Sequence, residues 1–316
     1  MHLAAQAYRM AARVYRGTLG RNQHTDRVTR RVVDWVRQVG RLRDLASPVA
    51  VDGALPVFLP KLEVETSAKP QELQDMWKAV RRAWERLGSD QPFHSVLTEA
   101  RYLPGRFAES EAEFWRSGET EANVLAGYLA NLGLLRLGEA SVIEYGCGVG
   151  RVTMALADQA RQVNAYDFSE SHLALARERG TALGRTNVRL MLIDSPLDIA
   201  FEPCDLFYSR IVLQHNPPPI IGHLLRKLIH ALRPGGVGVF QVPTYCVGYR
   251  FRVADYLSSH RLLDMEMHCY PQPDLFSLIA QEGARIVQVR DDNATGRADL
   301  FVSNTFVILK LAPVRT

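Results

Sequence analysis

From about residue 140 onward the chain alternates short apolar runs with longer stretches in which apolar residues recur every three or four positions. Val142-Ile-Glu-Tyr145, Gln162-Val-Asn-Ala-Tyr-Asp167, Asn187-Val-Arg-Leu-Met-Leu-Ile-Asp194, Asp205-Leu-Phe-Tyr-Ser-Arg210 and Val237-Gly-Val-Phe-Gln-Val242 read as buried strands. Between the fourth and fifth, Ile220, Ile221, Leu224, Leu225, Leu228, Ile229 and Leu232 keep a helical stripe that should stop at Arg233-Pro-Gly-Gly236. Ser169 is a candidate helix N-cap ahead of Leu173, Leu175 and Ala176. A helix near 274–281 and strands near 284–289 and 300–310 complete the pattern. Alternation of strands and helices predicts an α/β fold, a doubly wound seven-stranded sheet that is mostly parallel. The last two strands have no helix between them, so one of them should run antiparallel.

The first half follows a different pattern. Val28, Val32, Trp35, Val36, Val39 and Leu42 fall at helical spacing, as do Leu73, Met76, Trp77, Val80, Trp84 and Leu87, with Gly88 as the expected stop of the second helix. Pro48, Pro56, Pro60 and Pro70 mark a connecting segment between them. This divides the chain into a helical basic extension and linker over 1–90 and an α/β domain over 91–316, the latter with a lead-in at 91–135 and an insertion at about 244–272.

The sharpest chemical signal lies in Glu144-Tyr-Gly146-Cys-Gly148-Val-Gly150-Arg151, where a strand runs into a glycine turn that opens a helix. Such a turn lets the backbone reverse tightly, pass close to a ligand and aim unpaired N–H groups at it. A dinucleotide fingerprint would require glycine at 151, where Arg stands. Asp167 ends the next strand about 20 residues on, the separation at which a carboxylate can grip both ribose hydroxyls. The sequence of an acidic residue, Gly-x-Gly-x-Gly, Asp167 and Asp194 resembles the class I S-adenosylmethionine (SAM) dependent methyltransferases over roughly residues 120–316.

That resemblance implies S-adenosyl-L-methionine as cofactor, bound by Glu144, Tyr145, Gly146, Cys147, Gly148 and Gly150 in the turn, by Asp167 and Phe168 at the ribose, by Asp194 and Ser195 at the adenine, and by Arg210 after the fourth strand. It also implies that a lead-in including Trp115 and Gly118 folds over the methionine end. Methyl transfer is an in-line displacement, so the protein mainly aligns donor and acceptor and removes a proton where there is one. His215, on the loop after the fourth strand, is the candidate general base or acceptor-orienting residue, against a packing or capping role. Tyr245, Tyr249, Arg250 and His268 lie in the insertion, which in this family often forms a substrate lid. Their chemistry suits a hydroxylated or anionic small molecule or glycan, and transfer to oxygen ahead of nitrogen. No metal site is expected, because Asp291 and Asp292 are strand neighbours that point apart.

Charge and composition sharpen the alternatives. Residues 1–46 hold ten arginines against Asp26, Asp34 and Asp44, a local balance of +7 in a chain of net +4. A basic amphipathic helix there could bind nucleic acid or an anionic membrane, act as a presequence, or present a solvated face that packs on its own domain or forms a homodimer. A nucleic-acid methyltransferase is disfavoured because Asn216-Pro-Pro-Pro219 lacks the aromatic of the adenine-N6 tetrapeptide. A nicotinamide oxidoreductase and a non-catalytic scaffold complete the alternatives. Cys147, Cys204, Cys246 and Cys269 form no C-x-x-C pair and, with no membrane-length apolar run and no secretory signal, point to a cytoplasmic protein with reduced thiols.

Overall fold

A computed structural model describes residues 59–195, 197–259 and 265–313. The basic helix expected over 28–42, and any homodimer formed through it, lie outside those residues. Among the described residues no helix is long and apolar enough to cross a membrane.

The seven-stranded sheet runs from Val188–Leu192 at one edge through Gln162–Asp167, Ser141–Tyr145, Cys204–Ser209, Leu232–Cys246 and Phe301–Lys310 to Ala284–Asp291 at the other. Its strands are β2 (Ser141–Tyr145), β3 (Gln162–Asp167), β4 (Val188–Leu192), β5 (Cys204–Ser209), β6 (Leu232–Cys246), β8 (Ala284–Asp291) and β9 (Phe301–Lys310). The first five pair in parallel, and β9 runs antiparallel to both of its neighbours, β6 and β8. The antiparallel strand is the last one, which follows β8 with no helix between them, as expected. The order reverses between β2 and β5, so a crevice opens beyond their carboxyl ends, where ligands of open α/β sheets bind.

Helices cover both faces because β2, β3 and β5 are buried on both sides. One face packs Ile220, Leu224 and Leu228 of Pro218–Ala231 against Phe207, Phe240 and Phe306. The other packs Leu125 and Leu129 of Phe107–Asn131 and Leu156 of Thr153–Ala157 against Val142, Val163 and Leu206. Ser169 caps the helix Glu170–Ala182 as expected, its side chain accepting from the His172 amide.

Two local expectations change. Arg233-Pro-Gly-Gly236 lies within β6, where Leu232 already pairs with Cys204 and a register shift before Leu206 takes up the irregularity. The helix Pro70–Asp90 continues past Gly88, whose added Cβ would fall 2.5 Å from Ser169 Oγ, so that glycine serves close helix packing. This helix also places Leu73, Met76 and Trp77 in the same cluster as Ile220 and Leu224.

The insertion after β6 is anchored from below. β7 (Arg250–Phe251) pairs in parallel with β1 (Glu63–Val64), and the Val253 amide donates to Glu65 Oε2 at 2.6 Å. The chain returns with the Tyr270 amide donating to the Pro243 carbonyl.

Candidate active site

The glycine turn is built from the ends of β2 and β3. The amides of Gly146 and Cys147 both donate to the Tyr166 carbonyl, at 2.7 and 3.1 Å. Gly146 and Gly148 adopt φ of +79° and +53°, a region that L side chains rarely enter. An added Cβ at Gly146 would meet Val212 Cγ1 at 2.3 Å, and at Gly148 it would meet Val96 Cγ2 at 2.8 Å. The loop after β5 and the short helix Pro92–Val96 thus lie directly on the turn. Asp167 ties it from the side: Oδ2 accepts from the Gly148 amide at 2.8 Å and Oδ1 from the Ser169 amide at 2.9 Å.

A cavity opens at this point. Of the expected site residues it is lined by Glu144, Tyr145, Gly146, Cys147, Gly148, Asp167, Phe168, Arg210 and His215. Trp84 of Pro70–Asp90 and Ser95, Val96 and Leu97 wall it from the N-terminal side. Trp84 is tilted against His215 at 5.0 Å between ring centroids, and Trp77 meets Phe168 edge-on at 5.2 Å. This wall comes from the helix that composition assigns to the extension.

The charged floor was not evident from the sequence. Glu121, from the lead-in helix Phe107–Asn131, accepts from Arg151 Nη2 at 2.6 Å, Tyr208 OH at 2.6 Å and Arg210 Nη1 at 3.2 Å. Burial opposes its ionisation, but the two guanidinium groups outweigh burial and hold the carboxyl below its ordinary range. At Glu144 burial outweighs the Thr153 hydroxyl, which donates at 2.6 Å, and the nearby charge of Arg151, and the carboxyl is pushed up to about 8. The arginine directly after the third glycine is the signal that points toward such a group, but nothing in the pattern singles out Glu121, 30 residues away, as its partner.

His215 has a defined tautomer. Its Nδ1 lies 2.8 Å from the Glu266 carbonyl, which can only accept, so Nδ1 carries the proton and Nε2 keeps a lone pair. The Gln214 side-chain amide donates to that Nε2 at 3.2 Å, while Gln214 Oε1 accepts from Gln241. Burial lowers the His215 pKa to about 4, against the raising effect of its bond to Glu266. The ring is therefore neutral throughout the physiological range, and the ionisation expected near neutral pH moves into acid.

Other expected residues lie elsewhere. β4 ends at Leu192, two residues before Asp194. Asp194 is three-quarters exposed and pairs with Arg81 at 3.1 Å, while Ser195 Oγ donates to Gln74 at 3.2 Å. The helix Pro70–Asp90 captures both side chains outside the cavity. Trp115 lies beneath the Arg179 guanidinium, 4.4 Å from its ring centroid, and bonds Glu111. Gly150 packs against Met154 and Ala176. In the insertion, Tyr249 OH bonds His268 Nδ1 at 2.8 Å, and His268 Nε2 stands 3.3 Å from Glu266. His268 is buried and Tyr249 partly so, and each meets the other with a polar atom; Tyr245 is buried, and Arg250 is exposed on the short strand β7. None of the four lines the cavity. The insertion reaches the site through the Glu266 carbonyl that holds His215.

Gly118 acts through packing. A Cβ there would fall 2.1 Å from the Arg151 carbonyl oxygen, so the lead-in helix touches the backbone that follows the turn. Gly118→Ala is expected to destabilise the fold by about 1–3 kcal/mol through overpacking and to weaken ligand binding by displacing Arg151, as checked by chemical denaturation and calorimetry.

Residues 142–236 match the methyltransferase domain family. A trans-aconitate 2-methyltransferase of Streptomyces coelicolor is 32% identical over 137 residues, which are 42% of this chain and 44% of that protein. The structure is similar to phosphoethanolamine N-methyltransferase 1 of Haemonchus contortus, with a TM-score of 0.53 at 17% identity over 76% of this chain and 50% of the other. It is also similar to magnesium protoporphyrin IX methyltransferase of Synechocystis, with a TM-score of 0.51 at 16% identity over 75% of this chain and 99% of the other. The chain spans less than half the length of the curated relatives it matches. The matched segment runs from β2 into β6 and carries the glycine turn, Asp167 and His215, within a seven-stranded sheet that has the class I S-adenosylmethionine-dependent methyltransferase fold.

Proposed function

We propose that the protein transfers a methyl group from SAM to a small-molecule or glycan acceptor, with oxygen as the receiving atom. The observation that carries this reading is the convergence of the glycine turn, Asp167 and His215 on one cavity at the carboxyl ends of β2, β3 and β5. The residues fit the cofactor: Gly146 and Gly148 hold positive φ with no room for a side chain beside Val212 and Val96, which leaves the turn's backbone bare at the cavity, and Asp167 offers a buried carboxylate beside the turn. When bound, SAM supplies an electrophilic sulfonium methyl group.

The chain's own groups then divide the work. The turn and Asp167 hold the nucleoside, and Trp84, Val96 and Leu97 keep water from the reacting atoms. His215 Nε2 can receive a hydroxyl proton once the Gln214 amide yields its place. A neutral imidazole in an apolar wall favours a neutral hydroxyl over an amine that arrives protonated.

Incubating the purified protein with SAM labelled in the methyl group and a panel of hydroxylated metabolites and glycans should give label transfer to a hydroxyl. Calorimetry should show SAM binding tighter than NADH; the reverse order would favour an oxidoreductase and overturn the proposal.

A further inference from the structure

Glu144 has no part in the chemistry above, although it is buried and lines the cavity. It stands opposite Tyr208 in the β2–β5 register and opposite Ala165 in the β2–β3 register, with Asp167 two residues beyond Ala165. Arg151 and Thr153 face it from the chain after the turn, Glu121 from the lead-in helix, and Cys147 from the turn itself. Tyr145, Arg210, His172 and His215 complete the titratable lining.

The charges do not balance. Both arginines are engaged by Glu121, whereas Glu144 receives a single neutral hydroxyl donor and has Glu121 and Asp167 as repelling neighbours. With Glu121, Glu144 and Asp167 all ionised, the cavity carries one carboxylate more than its arginines neutralise.

We propose that Glu144 is a specificity-determining residue that distinguishes the sulfonium cofactor from its demethylated product by giving up a proton when the extra positive charge is bound. This rests on the reading of the cavity as a SAM site. SAM carries one more positive charge than S-adenosylhomocysteine, so only SAM compensates an ionised Glu144. The carboxyl is held up to about 8 in the free protein, so it keeps its proton at pH 7. The proton goes to buffer as SAM binds and is taken back once the methyl group has left. The affinity ratio of SAM to S-adenosylhomocysteine should therefore rise with pH below 8, by at most tenfold per pH unit, and the product should compete best in acid.

Calorimetry at pH 7 in buffers of different ionisation enthalpy counts the protons directly. Wild-type protein should release more protons with SAM than with S-adenosylhomocysteine, and Glu144→Gln should abolish the difference. Thr153→Val should raise the Glu144 pKa and move the pH at which the two affinities diverge upward, without altering the carboxyl itself. Equal release for both ligands in the wild type, or a difference that survives Glu144→Gln, overturns the inference while leaving the cofactor reading intact. Absence of binding by both ligands overturns the cofactor reading and this inference with it.

Discussion

Asp167→Ala is expected to weaken SAM binding by about 2 kcal/mol or more, roughly 30-fold, as measured by calorimetry. The carboxylate is buried at the end of β3, and each of its oxygens already accepts a backbone amide, from Gly148 and Ser169. A carboxylate oxygen has two lone pairs, so both oxygens retain capacity for ribose hydroxyls. The substitution thus removes ligand acceptors and also leaves two buried donors without partners. The second effect destabilises the turn, so the melting temperature should fall in the absence of ligand. Asp167→Asn separates the two effects: its one carbonyl oxygen can hold one amide, and it should recover part of the stability but little of the affinity. Unchanged SAM affinity in Asp167→Ala would remove Asp167 from the site and with it the basis for the proposed function.

The parts of this site legible in sequence are those set by short-range rules. A strand, a glycine turn and a following helix occupy residues 141–157, and a carboxylate at the end of the next strand must lie beside that turn because β2 and β3 pair in parallel. Ser169 is legible for the same reason, because capping acts within one turn of helix. Residues whose partners lie far off in the chain were not. Asp194 ends an apolar run and reads as a ligand, yet Arg81, 113 positions earlier, draws it outward. Gly88 reads as a helix stop because the crowding by Ser169 that requires glycine comes from across the fold. Tyr249 and His268 have lid chemistry in sequence, but they bond each other. Trp84 looks like ordinary core on a helical stripe, and only the packing of Pro70–Asp90 across the carboxyl ends of the strands sets it against His215.

His215→Ala is expected to lower turnover about 10²-fold while leaving SAM affinity nearly unchanged. The proton-accepting atom is Nε2, since Nδ1 is committed to the Glu266 carbonyl. With its pKa lowered to about 4, the ring is fully in its basic form at pH 6 to 8, so a role for His215 adds no limb to the rate profile there. The limb belongs near pH 4, where protonation blocks Nε2. The same shift has a sign in stability. The unfolded histidine takes up a proton below about 6.5 and the folded one resists until about 4, so folding loses stability as pH falls through that window, by on the order of 3 kcal/mol. His215→Ala should lose that acid sensitivity even if it also melts lower for want of packing against Trp84. His215→Asn tests the other role: an amide can donate to Glu266 and orient an acceptor, but it cannot take a proton. Retention of most of the rate in His215→Asn would make His215 an orienting group, and full activity in His215→Ala would leave it as the wall residue that holds the insertion to the site.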